Sequence, residues 1–320
     1  MEESVLQFTK QLTYIPEIHN KEKLETYKHT ILCGMGGSHL QAGIMKMYTP
    51  GIDLYVHRNY DLPPYDKEFM KDSLIIASSY SGNTEEVISS LETALTKGYS
   101  VAVITTGGVL LEKAKEHALP YIELPSTGIQ PRSALGYTTI ALAKMLGDEH
   151  CIMDMKDLKF TLHPDLLKKH GEELAEQLEN KIPIIYGSVT NLPIAYNWKI
   201  KMNETGKVPA FYNVFPELNH NEMQGFGEQV GNEKLHIIFL KDRDDHPQIR
   251  KRMDIAEKLY EEQGYSATSL ELKGEDMLHK IFSSLLLADW VAISLAKRRD
   301  VEPETVPMIE AFKSELNAAK

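Results

Sequence analysis

The chain has 320 residues, 42% hydrophobic and 25% charged, with a formal net charge of −11. That length fits two domains of ordinary size, and the negative balance excludes nucleic acid and an anionic membrane surface as partners. No apolar run is read as membrane-spanning, and the start Met1-Glu2-Glu3-Ser4-Val5 lacks the basic and apolar segments of a secretory leader, so a cytoplasmic location is expected.

Cys33 and Cys151 lack metal-ligand spacing, and Cys33 falls in a strand-like run where a buried, reduced thiol is the expected state. The twelve histidines form no HxH, HExxH or Cys/His cluster. Neither a metal nor an organic cofactor is therefore expected.

In chain order, residues 1–28 read as a helical lead-in. His29-Thr-Ile-Leu-Cys33 is a short apolar strand, followed by Gly34-Met35-Gly36-Gly37-Ser38 and then Leu40, Ile44 and Met47 at helical spacing. Glycines there let the backbone approach a ligand closely. The G-x-G-x-x-G spacing fails at His39, which argues against a dinucleotide. Strands follow at Asp53–His57, Ser73–Ala77, Ser100–Thr105 and Pro120–Leu124, alternating with helices to about Lys97 and His117. That alternation predicts an α/β fold with a parallel sheet flanked by helices and a ligand above a switch point of the sheet.

Between the third strand and its helix lies Ser78-Ser79-Tyr80-Ser81-Gly82-Asn83-Thr84-Glu85-Glu86. A helix N-terminus offers backbone N–H groups and the positive dipole end to an anion. Ser79, Ser81 and Thr84 add hydroxyl donors without charge, which suits a phosphate monoester on a neutral body such as a sugar. The structural alternative is a capping box, with Ser81 or Asn83 as N-cap and Glu86 reaching back. Arg132, in Gln130-Pro131-Arg132-Ser133-Ala134, stands ahead of a small-residue helix start, where a guanidinium faces either an anionic ligand or solvent.

Residues 149–165 break the alternation and read as the connection between domains 1–150 and 151–320. A charged helix at about 164–180 follows, and the pattern then restarts. Ile182–Ser188 is a strand, residues 192–205 a helix closed by Gly206, and Leu235–Leu240 and Ser269–Leu272 further strands, with a long helix at about 275–297. Two α/β halves suggest an internal duplication, and the second lacks a hydroxyl cluster like Ser79–Thr84. Glu204 ends its helix, a place suited to a proton-accepting carboxylate or to a solvated one paired with Lys201 or Lys207. The segment Phe211–Phe226 looks unsuited to a regular element, and it gathers Glu217, His220 and Glu222 with Asn219 and Asn221. Imidazole moves a proton readily near neutral pH.

At these residues the chain resembles the sugar isomerase (SIS) superfamily, and within it the bifunctional phosphoglucose/phosphomannose isomerases. The matching stretches are Gly34–Ser38, Ser79–Glu86, Gln130–Tyr137, Asn203-Glu204 and Phe215-Pro-Glu-Leu-Asn-His220-Asn-Glu222. The resemblance implies two SIS-type (flavodoxin-like) domains and a homodimer with the active site at its interface. It implies that Gly37, Ser38, Ser79, Ser81 and Thr84 hold the phosphate of a small sugar phosphate. Arg132 would sit by the reacting carbons, Glu204 would shuttle the proton, and His220 would open the ring from the other subunit. The nearest matches to the family's C-terminal threonine and lysine are Thr305 and Lys313. His39 and Ala42-Gly43 stand where relatives often carry small residues and Gly-Asp, which leaves the sugar preference open. The implied activity is aldose–ketose isomerisation of glucose 6-phosphate and/or mannose 6-phosphate with fructose 6-phosphate. The alternatives are a sugar-phosphate sensor without turnover, or an isomerase of another phosphosugar.

Overall fold

The computed structural model describes residues 1–227 and 231–318. The chain divides into two compact units, one of residues 7–162 and the other of residues 1–6 with 163–320.

In the first unit, β-branched and leucine-rich runs form five parallel strands, β1 (His29–Cys33), β2 (Leu54–His57), β3 (Ser73–Ser79), β4 (Val101–Thr105) and β5 (Tyr121–Glu123). Their order is β2-β1-β3-β4-β5. Every residue of β3 and β4 is buried, so both faces of the sheet are covered. The longer helices are α1 (Leu40–Tyr48), α2 (Glu85–Lys97), α3 (Gly108–Glu116), α4 (Leu135–Leu146) and α5 (Glu149–Asp157). One core joins Ile31, Ile75 and Val103 of the sheet to Val87, Leu91 and Leu110 of α2 and α3, each worth about 1.5–3 kcal/mol relative to exposure. Cys33 lies in that core, and burial pushes its thiol up to about 12.

In the second unit, β6 (Ile182–Ser188), β7 (Phe211–Phe215), β8 (Leu235–Lys241) and β9 (Ser266–Glu271) are parallel in the order β7-β6-β8-β9. Its helices are α6 (Lys168–Gln177), α7 (Leu192–Glu204), α8 (Pro247–Glu262), α9 (Met277–Arg298) and α10 (Pro307–Ala318). Both sheets begin with the order second, first, third, fourth, as expected of a duplicated unit.

Several expectations change. The lead-in at 1–28 is helical only at Glu2–Leu6 and Phe8–Gln11, with a 3-10 turn at Lys21–Lys23. His19 instead pairs with Tyr121 beside β5, a contact that local sequence does not announce. Residues 149–157 are not a linker but α5, packed on α4, with Cys151 Sγ 3.7 Å from Met45 Sδ on α1. The units therefore change over at Leu162–His163 rather than at 150–151. Phe211–Phe215 is a strand, β7, because β6 supplies a parallel partner from Ile184↔Phe211 to Ser188↔Phe215.

The segment after α7 turns on Lys207, which takes φ 54°, and not on Gly206. Gly206 is needed for space instead, since a Cβ there would lie 2.9 Å from the Met202 carbonyl oxygen. Finally, α9 is long and apolar enough to cross a membrane by length and composition. However, 89% of its most apolar window is buried, and it packs on α6 and α7, so it is the central helix of the unit.

Candidate functional site

The order β2-β1-β3-β4-β5 places its switch point between β1 and β3, and the loops following those strands open over that crevice. After β1, the turn Gly36–His39 carries Ser38, whose Oγ accepts from the Tyr80 N–H at 2.9 Å. The Ser38 carbonyl accepts from Ser78 Oγ (2.9 Å) and from Gln41 Nε2 (2.8 Å), so Gln41 and Ser78 stitch the two loops together. After β3, Ser79 Oγ lies 2.7 Å from Thr84 Oγ1 and accepts from the Gly82 N–H. Ser81 is exposed, and its Oγ accepts from the Asn83 N–H at 3.3 Å. Ser38, Ser79, Ser81 and Thr84 thus stand on two linked turns.

The capping box does not form. Thr84 occupies the N-cap of α2 without a side-chain cap bond. The Asn83 side chain accepts from the Val109 N–H of α3 instead, at 3.1 Å. That bond, with Thr106 donating to the Tyr80 carbonyl at 2.6 Å, ties the hydroxyl turn to the loop after β4. The turn's hydroxyls are therefore not spent on helix capping; they bond one another and the N–H groups of the two turns.

Two glycines are required here. A Cβ on Gly37 would lie 2.8 Å from the Arg132 nitrogen, so the glycine turn and Pro131–Ser133 approach backbone to backbone. This brings Arg132, 1% exposed, beside the same loop. Gly82 has φ +71°, and a Cβ on it would fall 1.7 Å from the Gly107 carbonyl oxygen. The strained backbone alone costs about 1–3 kcal/mol for a non-glycine residue. Gly82→Ala is expected to lower the melting temperature and weaken binding of a phosphate monoester on the order of tenfold, about 1.4 kcal/mol. Calorimetric titration with a sugar phosphate, beside a thermal melt, checks this; unchanged affinity in a folded variant would remove the turn from the site.

His39 is buried next to this loop, and burial with the nearby Arg58 charge holds its imidazole down to about 4. It is therefore a neutral neighbour of the loop at physiological pH.

In the second unit, Glu204 is the last residue of α7 and is half-buried. The Lys207 ammonium donates to the carbonyls of Glu204 and Thr305, which satisfies a helix C-terminus with a cation. Asn203 Nδ2 donates to the Val208 carbonyl at 2.9 Å, fixing the same turn. Thr305 is thereby brought to the Glu204 turn. Lys313 lies further along, exposed on α10, and the structure does not gather it to Glu204 or Thr305. The Lys201 ammonium is buried against Asp289 at 2.6 Å.

His220 ends the 3-10 turn Glu217–His220 directly after β7 and is exposed. A cavity of about 380 Å³ beside it is lined by Asn219, Asn221, Met223, Phe226 and Tyr260 among others. Sequence reading missed Gln41, an ordinary polar residue until the loops it joins are seen to be neighbours, and gave Lys207 only as a partner of the Glu204 carboxylate, whereas it bonds the Glu204 and Thr305 carbonyls.

The second sheet has the same switch point, but its strand ends are filled by protein. Asn191 Nδ2 donates to Ser188 Oγ (3.0 Å) and Asp242 (3.1 Å), and Lys280 Nζ donates to Asp242 (2.9 Å) and Asp244 (2.6 Å). Acidic side chains closed over a lysine disfavour an anion at these strand ends. Among the described residues no group of three or more His, Cys, Asp or Glu side chains is placed to hold a metal ion.

Residues 167–316 match the family model of the bacterial phospho-glucose isomerase C-terminal SIS domain. The chain is similar to the bifunctional phosphoglucose/phosphomannose isomerase of Aquifex aeolicus, 33% identical over 92% of each chain. It is also similar to that of Caldicellulosiruptor bescii, 34% identical over 93% of this chain and 92% of the other. Among solved structures, a hypothetical protein from Thermus thermophilus superposes with a TM-score of 0.71 at 15% identity, covering 99% of this chain and 90% of that one, a likeness of fold.

Proposed function

The chain belongs to the family of bifunctional phosphoglucose/phosphomannose isomerases and is an aldose–ketose isomerase of sugar phosphates, and we propose that it interconverts both glucose 6-phosphate and mannose 6-phosphate with fructose 6-phosphate. The observation that carries the substrate class is the stitched pair of turns at the first switch point. There Ser38, Ser79, Ser81 and Thr84 surround a helix N-terminus that the N-cap residue Thr84 does not cap with its side chain. Gly37 lets the backbone close on the phosphate, whose binding energy positions the distant C1–C2 end.

In the proposed reaction His220 moves a proton to or from the ring oxygen and gives the open-chain sugar. Glu204 removes the C2 proton of the aldose, or the C1 proton of the ketose, and returns it to the neighbouring carbon. Arg132 stabilises the enediolate between them, its buried guanidinium acting in a medium of low dielectric. Thr305, held at the Glu204 turn through Lys207, stands at the sugar end. The two aldoses differ only at C2 and share one enediol, so accepting both requires a site that tolerates both faces. The proton route itself uses neither a metal nor an organic cofactor.

The proposal includes a homodimer with the active site at the interface and His220 supplied by the partner copy. Two features support it. His220 is exposed on a well-anchored turn of its own unit. And α10 leaves Met308 86% and Phe312 66% exposed at i, i+4 spacing, an apolar stripe of the kind that subunit contacts cover.

Incubation of fructose 6-phosphate with metal-free enzyme tests the reading. Glucose 6-phosphate and mannose 6-phosphate are both expected, quantified separately. One product alone would narrow the sugar pocket. Binding of fructose 6-phosphate with neither product would replace the isomerase by a sensor.

A further inference from the structure

The turn that carries His220 is fixed at three points. Leu218 and Phe226 are buried in a core with Tyr186, Phe215, Phe239 and Tyr260. Between them Glu222 turns inward from an otherwise polar stretch. One of its carboxylate oxygens accepts from the Tyr186 hydroxyl at 2.5 Å, and the other accepts from Asn213 Nδ2. Tyr186 and Asn213 are directly paired residues of β6 and β7. Burial pushes the Tyr186 phenol far up, so it remains a donor throughout the working pH range. A chain of local bonds continues around the histidine: the Glu222 N–H donates to Asn221 Oδ1, and Asn221 Nδ2 donates to Glu217 Oε1 at 2.8 Å.

Apolar anchors alone let a short turn slide, because dispersion contacts are non-directional. A carboxylate with both oxygens held by donors on two paired strands allows one register only. The geometry ties Glu222 to the scaffold.

We propose that Glu222 is a positioning residue for the isomerisation: it locks the His220 turn to the Tyr186–Asn213 pair and so sets where the imidazole meets the ring oxygen. This rests on the ring-opening role given to His220 above. Glutamine at 222 keeps one accepting oxygen but turns an amide N–H₂ toward a donor, and the turn shifts. A displacement near 1 Å costs up to about a hundredfold in rate.

The test compares fructose 6-phosphate with 5-deoxyfructose 6-phosphate, whose missing C5 hydroxyl prevents ring closure. Glu222→Gln is expected to lower kcat on fructose 6-phosphate by about 10–100-fold, with the open-chain analogue within about threefold of wild type. The double variant Glu222→Gln/Asn213→Asp exchanges donor and acceptor while keeping shape and net charge. Its glutamine amide donates to Asp at 213 while its carbonyl still accepts from Tyr186. It is expected to regain activity on the cyclic ketose to within about tenfold of wild type. Equal losses on both substrates in Glu222→Gln would overturn the proposal. So would a folded double variant that recovers nothing, since the charge at 222 and not the tie would then matter. Wild-type enzyme inactive on both ketoses would instead be a failure of the isomerase reading itself.

Discussion

Glu204→Gln is expected to lower kcat for fructose 6-phosphate by about 10²–10⁴-fold and to leave KM within about threefold. Glutamine has the shape of glutamate and keeps a hydrogen-bonding carbonyl, but it cannot carry a proton between adjacent carbons. The position tolerates the change. Glu204 is half-buried at the end of α7, and its backbone is fixed from outside by the Lys207 ammonium and by Asn203, neither of which depends on the carboxylate. In the proposed reaction the phosphate is held by the first unit's hydroxyl turns, so substrate binding should persist. Steady-state kinetics, with solvent deuterium incorporation at C1 or C2 in D₂O, provide the measurement. A fall below tenfold, or undiminished deuterium incorporation, would remove Glu204 from the base role.

Asp289→Ala should destabilise the protein by about 3–5 kcal/mol, read as a loss of roughly 6–20 °C in Tm. Lys201 on α7 and Asp289 on α9 form an ion pair at 2.6 Å with side chains 2% and 5% exposed. The pair itself contributes little net stability, because desolvating both charges offsets their attraction. Removing one partner leaves a buried ammonium without its counter-charge. The double variant Lys201→Met/Asp289→Leu, which removes both charges, should recover most of the loss. If Asp289→Ala melts within about 2 °C of wild type, water or another group reaches Lys201 and the pair is not sealed. The effect bears on function because the pair clamps the last turns of α7, from which Glu204 projects.

How much of this was legible in the chain depends on whether the signal is local. Strands β1, β3, β4, β6 and β8 are short apolar runs with turn residues at both ends, and their backbone bonds can be satisfied only in a covered sheet. Phe211-Tyr212-Asn213-Val214-Phe215 belongs to an aromatic, polar stretch that looks unsuited to a regular element. What makes it a strand is the open edge of β6. The lead-in failed in the opposite sense: its pattern suggested helix, but helix persists only to Gln11, and His19 is claimed by Tyr121 across the fold.

The two-part α/β architecture and the hydroxyl and glycine turns were legible from the chain alone. These follow from residue type and spacing along a single element. Only the tertiary structure decided what those residues do with their hydrogen bonds. Thr84 turns to Ser79 and leaves its helix uncapped, and Asn83 serves another helix. Lys280 closes the second switch point, and Glu222 ties down the histidine turn. For Asn83, Lys280 and Glu222 one cause is shared: a polar side chain has several satisfiable partners within its own segment, and another segment brought to hydrogen-bond distance by the fold decides which it takes.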